Sequence, residues 1–191
     1  MNVDEKRGMY DKFWNRVMFP IMDVNNRIIG FGGRVMGDAK PKYLNSPETK
    51  VFDKSRNLYG LNVARTSRKK YLIVCEGYMD VISMHQAGFT NAVASLGTAL
   101  TSQHASLLKR YTDQVILSYD SDEAGVKAAL RAIPLMREAG LTARVLDLKP
   151  YKDPDEFIKN RGTEAFEERL MQAQNSFLFE ISILEKQYDM K

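Results

Sequence analysis

Hydrophobic and polar positions follow two different regimes along this chain of 191 residues. Up to about residue 70, short apolar stretches at 17–21 and 27–35 are broken by turn formers. These are Asp23-Val24-Asn25-Asn26, Gly30, Gly32-Gly33, Gly37-Asp38, Pro41 and Ser46-Pro47. Such punctuation predicts a small, irregular, β-rich unit with hairpins, in which Gly32-Gly33 reads as a plain turn. Residues 58–66 read as a short helix and 67–70 as a basic connector.

From Tyr71 the pattern becomes regular. Compact apolar runs at 71–75, 91–95, 114–119 and 143–148 read as strands. Helical spacing fills the gaps: 78–86, ending at Gly88; 102–110, with Thr101 as N-cap; and 122–139, closed by Gly140 and kinked at Pro134. Four continuous apolar strands alternating with helices predict an α/β fold, a parallel sheet covered on both faces. After Pro150 come a loop and two or three helices, the last at 175–188. Its stripe of Phe177, Ile181, Leu184 and Tyr188 finds no partner in the sequence. The expected organisation is a basic β-rich α+β subdomain (1–70), a parallel-sheet domain (71–160) and a helical tail (161–191).

Composition adds little until it is split. Hydrophobic residues at 44% and charged residues at 27% are ordinary for a globular protein and exclude a mostly disordered chain. Apolar runs of about half a dozen residues are too short for a membrane span, and no signal peptide is expected from the charged first ten residues. The expected setting is therefore cytoplasmic, with no membrane partner. One cysteine, Cys75, and two histidines leave no structural zinc site. His85 and His104 lie in helical stretches and read as packing or surface residues. The charge, however, is uneven. Residues 1–70 carry 15 Lys and Arg against 7 Asp and Glu, whereas 71–191 carry 13 against 17. A basic half that grips polyanions and an acidic half that holds cations would account for this, as would a basic face that serves solubility alone.

Ligands of open parallel sheets bind at the carboxyl ends of the strands. There the sequence places Glu76 and Asp80 after the first strand, Asp120 and Asp122 after the third, and Asp153 and Asp155 beyond the fourth. Six acids on one edge repel one another unless a divalent cation neutralises them. Mg²⁺, which prefers a few carboxylates, water and substrate phosphate, suits such a set. Asp122 and Asp155 also suit simple helix capping. Gly97-Thr98 falls on the same edge, where main chain or hydroxyl could approach a phosphate. No glycine site fits a Walker A loop.

Glu76-Gly77 at a strand end, followed by Asp120-Ser121-Asp122, resembles the Toprim fold shared by primases, topoisomerases, OLD-family nucleases and RecR-like proteins. The N-terminal third narrows the choice. Arg16-Val17-Met18-Phe19-Pro20-Ile21, Gly30-Phe31-Gly32-Gly33-Arg34 and Pro41-Lys42-Tyr43-Leu44-Asn45-Ser46-Pro47-Glu48-Thr49 resemble motifs of bacterial DnaG-type primases. So do Phe52-Asp53-Lys54 with Leu58-Tyr59-Gly60, Ser95-Leu96-Gly97-Thr98-Ala99-Leu100-Thr101 and Lys152-Asp153-Pro154-Asp155-Glu156. The resemblance implies metal-dependent nucleotidyl transfer that makes short RNA primers on single-stranded DNA during bacterial replication. It implies that Glu76, Asp80, Asp120, Asp122, Asp153 and Asp155 bind two or more Mg²⁺ or Mn²⁺ ions, with Glu76, Asp120 and Asp122 foremost in catalysis. Arg16, Arg34, Lys42, Tyr43, Asn45 and Lys54 would contact ribonucleoside triphosphates, and guanosine tetra- or pentaphosphate would compete for the same site. For Tyr43 ordinary packing stays open beside base stacking, and for Arg34 and Lys42 a solvated face beside phosphate contact. Against that family pattern the sequence reads as a Toprim-centred fragment, without the zinc-binding domain and without the C-terminal domain that contacts the replicative helicase. Two other readings remain: a nucleotide- or alarmone-binding fragment inactive alone, and another Toprim enzyme, nuclease or topoisomerase.

Overall fold

The computed structural model describes residues 2–4 and 8–188, with side chains described from residue 11 onward. It divides into two compact units, 1–52 and 53–191. Residues 53–70 hold on to the second unit through a Tyr59–Ala94 bridge and bonds to the 101–104 turn, while Phe166 and Leu170 belong to its core.

The first unit is antiparallel. Strand β1 (Asn2–Asp4) pairs with β2 (Gly8–Tyr10), and β3 (Arg16–Met22), β4 (Ile28–Val35) and β5 (Tyr43–Asn45) form a sheet in that order. The β3–β4 hairpin turns on Asp23, whose Oδ1 accepts the N–H groups of Asn25 and Arg27, while Asn26 takes a left-handed φ of 63°. Pro20 is tolerated because β3 is an edge strand. Gly32-Gly33, expected as a turn, lies inside β4. A β-carbon on Gly33 would stand 2.8 Å from the Phe13 ring and 3.1 Å from Arg16 Cδ, so this strand interior needs a residue without one.

The second unit is the α/β layer expected from sequence. Short α1 (Leu61–Ala64) leads to β6 (Leu72–Cys75), α2 (Tyr78–Gln86), β7 (Ala92–Ala94), α3 (Ser102–Lys109), β8 (Gln114–Ser118), α4 (Glu123–Glu138) and β9 (Thr142–Val145). Then follow α5 (Pro154–Met171), β10 (Gln174–Asn175) and α6 (Ser176–Tyr188). The sheet order is β10-β9-β8-β6-β7, parallel except for β10, which pairs antiparallel with β9. Interior strand β6 is buried along its whole length, as a strand covered on both faces must be. One face packs Val81, Met84, Phe89, Phe157, Phe166 and Leu170 against Ile73, Cys75 and Ile116. At full burial each such side chain contributes roughly 1.5–3 kcal/mol. Helix α4 runs uninterrupted through Pro134, and α5 breaks direction at Gly162, where φ is 83°. Among the described residues no helix is long and apolar enough to cross a membrane.

Candidate active site

The chain leaves β6 toward β7 on one side and leaves β8 toward β9 on the other. The carboxyl ends of β6 and β8 therefore flank a topological switch point, the position where a crevice opens in a parallel sheet. Register brings their tips level, Cys75 beside Ser118, so Glu76 and Asp120 emerge as neighbours. Glu76 Oε1 accepts the main-chain N–H of Asp120 at 3.0 Å, fixing one acid against the other's backbone. The first turn of α4 closes on the same point. A β-carbon at Gly125 would meet the Asp120 carbonyl oxygen at 2.0 Å and Glu76 Oε1 at 2.9 Å, so only glycine permits this approach.

Asp80, in the first turn of α2, accepts the N–H of Gly77 at 3.0 Å. Burial, and then the carboxylates of Asp153, Glu76 and Asp155, push its pKa up to about 6 against the opposing Gly77 bond. Asp120 is likewise pushed up to about 6, by burial first and then by Glu76 and Asp80; Lys152, 3.9 Å away, opposes the rise. Glu76, Asp80, Asp120 and Asp153 thus share one electrostatic neighbourhood. Asp153 also caps α5 by accepting the N–H of Glu156 at 2.8 Å. Asp155 adds to the negative field at Asp80 while pairing with Lys159. Asp122 caps α4 through the N–H of Gly125 at 2.9 Å. Asp122 and Asp153 thus both act as helix N-caps, and Asp153 also contributes to the field at Asp80 and Asp120.

Donor chemistry at this edge fits a hard divalent cation: all-oxygen, anionic and mutually repelling without one. Among the described residues no three acidic, histidine or cysteine side chains are gathered tightly enough to hold a metal ion. The loop beyond β9 is tied to the site by Ser121, whose N–H donates to the Lys152 carbonyl and whose hydroxyl donates to that of Tyr151, both at 3.0 Å. Two cavities flank the acids. One of about 150 Å³ is lined by Glu76, Ser95, Thr98, Tyr119 and Arg131. The other, of about 110 Å³, is lined by Asp120, Ser121, Asp147, Lys149 and Lys186. Thr98 therefore does lie on the acidic edge, its carbonyl held by the Ser95 hydroxyl at 2.6 Å.

Five of the six expected nucleotide contacts lie in the first unit. Arg34 and Tyr43 pair across β4 and β5. The Arg34 guanidinium and the Lys42 ammonium each stand 5.8 Å from the centre of the Tyr43 ring, an exposed aromatic with two cations in reach. Arg16 donates to the carbonyls of Pro41 at 2.8 Å and of Gly33 and Lys42 at 3.4 Å, holding the segment that presents Lys42 and Tyr43. Asn45 pairs with Gly32 at the end of β5. Lys54 belongs to the second unit, in a turn stapled to α3. Sequence reasoning missed Gly125 and, although Lys152 stood in a primase-like motif, its pairing with Asp120. A glycine in the first turn of a strong helix goes against helix propensity and was the available signal for the former.

A mainly parallel sheet with acids at its switch point is the arrangement expected of a Toprim-type α/β domain. In agreement, residues 73–158 match the family model described as Toprim-like, and residues 1–65 match the one described as DNA primase catalytic core, N-terminal domain. A DNA primase of Clostridium acetobutylicum is 54% identical over 165 residues, covering 86% of this chain and 28% of that protein. The solved Escherichia coli primase catalytic core superposes with a TM-score of 0.88 at 46% identity, over 97% of this chain and 61% of that one. A DnaG primase catalytic domain bound to single-stranded DNA superposes equally well, with a TM-score of 0.88 at 45% identity, over 97% of this chain and 62% of that one. The chain belongs to the bacterial DnaG-type DNA primases. It spans under a third of the length of the Clostridium relative.

Proposed function

We propose that this chain forms part of the catalytic core of a bacterial DNA primase, a nucleotidyltransferase that makes short RNA primers on single-stranded DNA in the cytoplasm. The observation that carries the reading is the union of Glu76 and Asp120 at the switch point, with Asp80 and Asp153 in the same field. Glu76, Asp80, Asp120, Asp122, Asp153 and Asp155 would hold Mg²⁺ or Mn²⁺. When bound, the ions neutralise triphosphate charge and activate the primer 3′-hydroxyl. The chain's own part is positional: the Glu76 bond fixes the Asp120 main chain, Ser121 draws the Asp153 loop to it, and Lys152 moderates the local negative charge. Arg34, Lys42, Tyr43, Asn45 and Lys54 would contact triphosphate and base, and Arg16 would support Lys42 and Tyr43. Guanosine tetraphosphate offers the same groups and would compete.

Single-turnover primer synthesis on single-stranded DNA, with protein in excess and Mn²⁺ present, tests this. Product is expected from the native chain, and Asp120→Asn should reduce it by about a hundredfold or more. Metal-dependent nicking of the DNA without primer formation would instead assign a Toprim nuclease. A second reading, nucleotide binding without catalysis by this stretch alone, is favoured by the lack of a three-acid group among the described residues. GTP binding without product would select it.

A further inference from the structure

Away from the acidic crevice, a buried histidine organises the turn that carries Lys54. His104 is fully buried in the first turn of α3. Its Nδ1 accepts the N–H of Thr101 at 3.2 Å, which leaves the ring proton of the neutral form on Nε2. Nε2 then donates to two carbonyls, Lys54 at 2.8 Å and Asn57 at 3.2 Å. Burial pushes the imidazole pKa down and keeps the ring in this neutral form.

The neighbouring side chains fasten the same turn. Thr101 Oγ1 accepts the N–H of His104 and donates to the Ser55 carbonyl at 2.9 Å. Ser55 Oγ lies 2.6 Å from both Gln103 Oε1 and Asp53 Oδ1, and Asn57 Nδ2 donates to the Asp53 carbonyl at 2.7 Å. The main-chain carbonyls of Lys54, Ser55 and Asn57 are therefore all fixed from one helix start. Both ring nitrogens are satisfied by main-chain groups on two separate segments, as a buried imidazole requires, so the ring ties the 53–57 turn to the start of α3.

We infer that His104 is a positioning residue for nucleotide binding: by anchoring the Lys54 carbonyl it sets where the Lys54 side chain leaves the backbone, and so how well that ammonium meets a triphosphate. The inference rests on the reading of Lys54 as a nucleotide contact. Losing the anchor would let the 53–57 turn wander, and the entropy of re-ordering it would then count against binding.

Two substitutions separate the two ring nitrogens. His104→Asn keeps an acceptor for the Thr101 N–H and removes the donor to Lys54; His104→Gln places an amide N–H within reach of that carbonyl. GTP is titrated calorimetrically into the whole chain with Mn²⁺, for the native protein, H104N, H104Q, K54A and the H104N/K54A pair. H104N is expected to weaken binding about tenfold, with most of the loss restored in H104Q and none added to K54A in the double variant. Native-like affinity in a folded H104N, or losses that add to those of K54A, would overturn the inference. If H104N does not fold, Gln103→Ala decides: an affinity loss absent from the K54A background supports the inference, and unchanged affinity sinks it. A native chain that binds no GTP removes the nucleotide reading and this inference together, whereas binding that K54A leaves untouched removes this inference alone.

Discussion

Asp120 and Asp80 are the residues at which burial, and then the crowding of acids, can be measured. Both carboxyls are raised from an ordinary 3.8 to about 6 in the folded chain, so between about pH 4 and pH 6 the folded state binds more protons than the unfolded one. Stability from these two groups therefore falls as pH rises through that window and stays low above it, the opposite of a salt-bridged carboxylate. The metal-free chain should accordingly lose less stability on acidification from pH 7.5 to pH 5 than Asp120→Asn does. At pH 7.5 the variant should melt about 2–4 °C higher than the native chain. Scanning calorimetry at the two pH values, with metal removed by chelator, checks this; an unchanged melting temperature at pH 7.5 would mean that neither burial nor its acidic neighbours destabilise the Asp120 carboxylate. The positions of Glu76 and Asp120 were legible in the sequence, because each closely follows a compact apolar strand. The glycine that lets α4 close on them was not, since the 2.0 Å approach at Gly125 belongs to two segments meeting in space.

Among the elements, helices were read well where chemistry marks their ends. Thr101 and Asp122 are the N-caps anticipated, and Gly140 takes a φ of 74° just past α4. Strand β10 was not foreseen: two residues carry no periodicity, and its pairing with Val145 and Arg144 is purely tertiary. Gly32-Gly33 misled because a glycine pair usually signals a turn, while here the Phe13 ring and the Arg16 stem above Gly33 select it. Asp122 has two candidate duties, and side-chain chemistry can part them. Asparagine caps as well as aspartate, whereas alanine does not. Urea unfolding should place Asp122→Asn within about 0.5 kcal/mol of native and Asp122→Ala about 1 kcal/mol lower. If Asp122→Asn also retains Mn²⁺-dependent GTP affinity, Asp122 serves α4 alone.

Across the whole molecule the charge asymmetry makes a prediction about DNA. Residues 1–70 carry a net +8 and 71–191 a net −4, so an overall +4 understates the basic half. Binding of a labelled single-stranded oligonucleotide, followed by anisotropy from 50 to 200 mM salt, should weaken linearly on a double-logarithmic plot. Each phosphate that a variant no longer neutralises should flatten the slope by about 0.7, so Lys42→Ala and Arg34→Ala together should reduce it by about 1.4. An unchanged slope would return both residues to the solvated-face reading.

The flanks of the five-stranded sheet have a bearing on how copies of this chain meet one another. Beside β9 lies the short antiparallel β10, and beside β7 the main chain of Tyr59 bonds to Ala94 in both directions, at 2.8 and 3.1 Å. Strands β9 and β7 thus each have part of their outer ladder already occupied by a piece too short to template another strand. Open strand edges are the usual nucleation points for aggregation. Blunting both of them lets an acid-lined crevice, itself unfavourable to folding, sit in a sheet that cannot easily grow sideways into a neighbour.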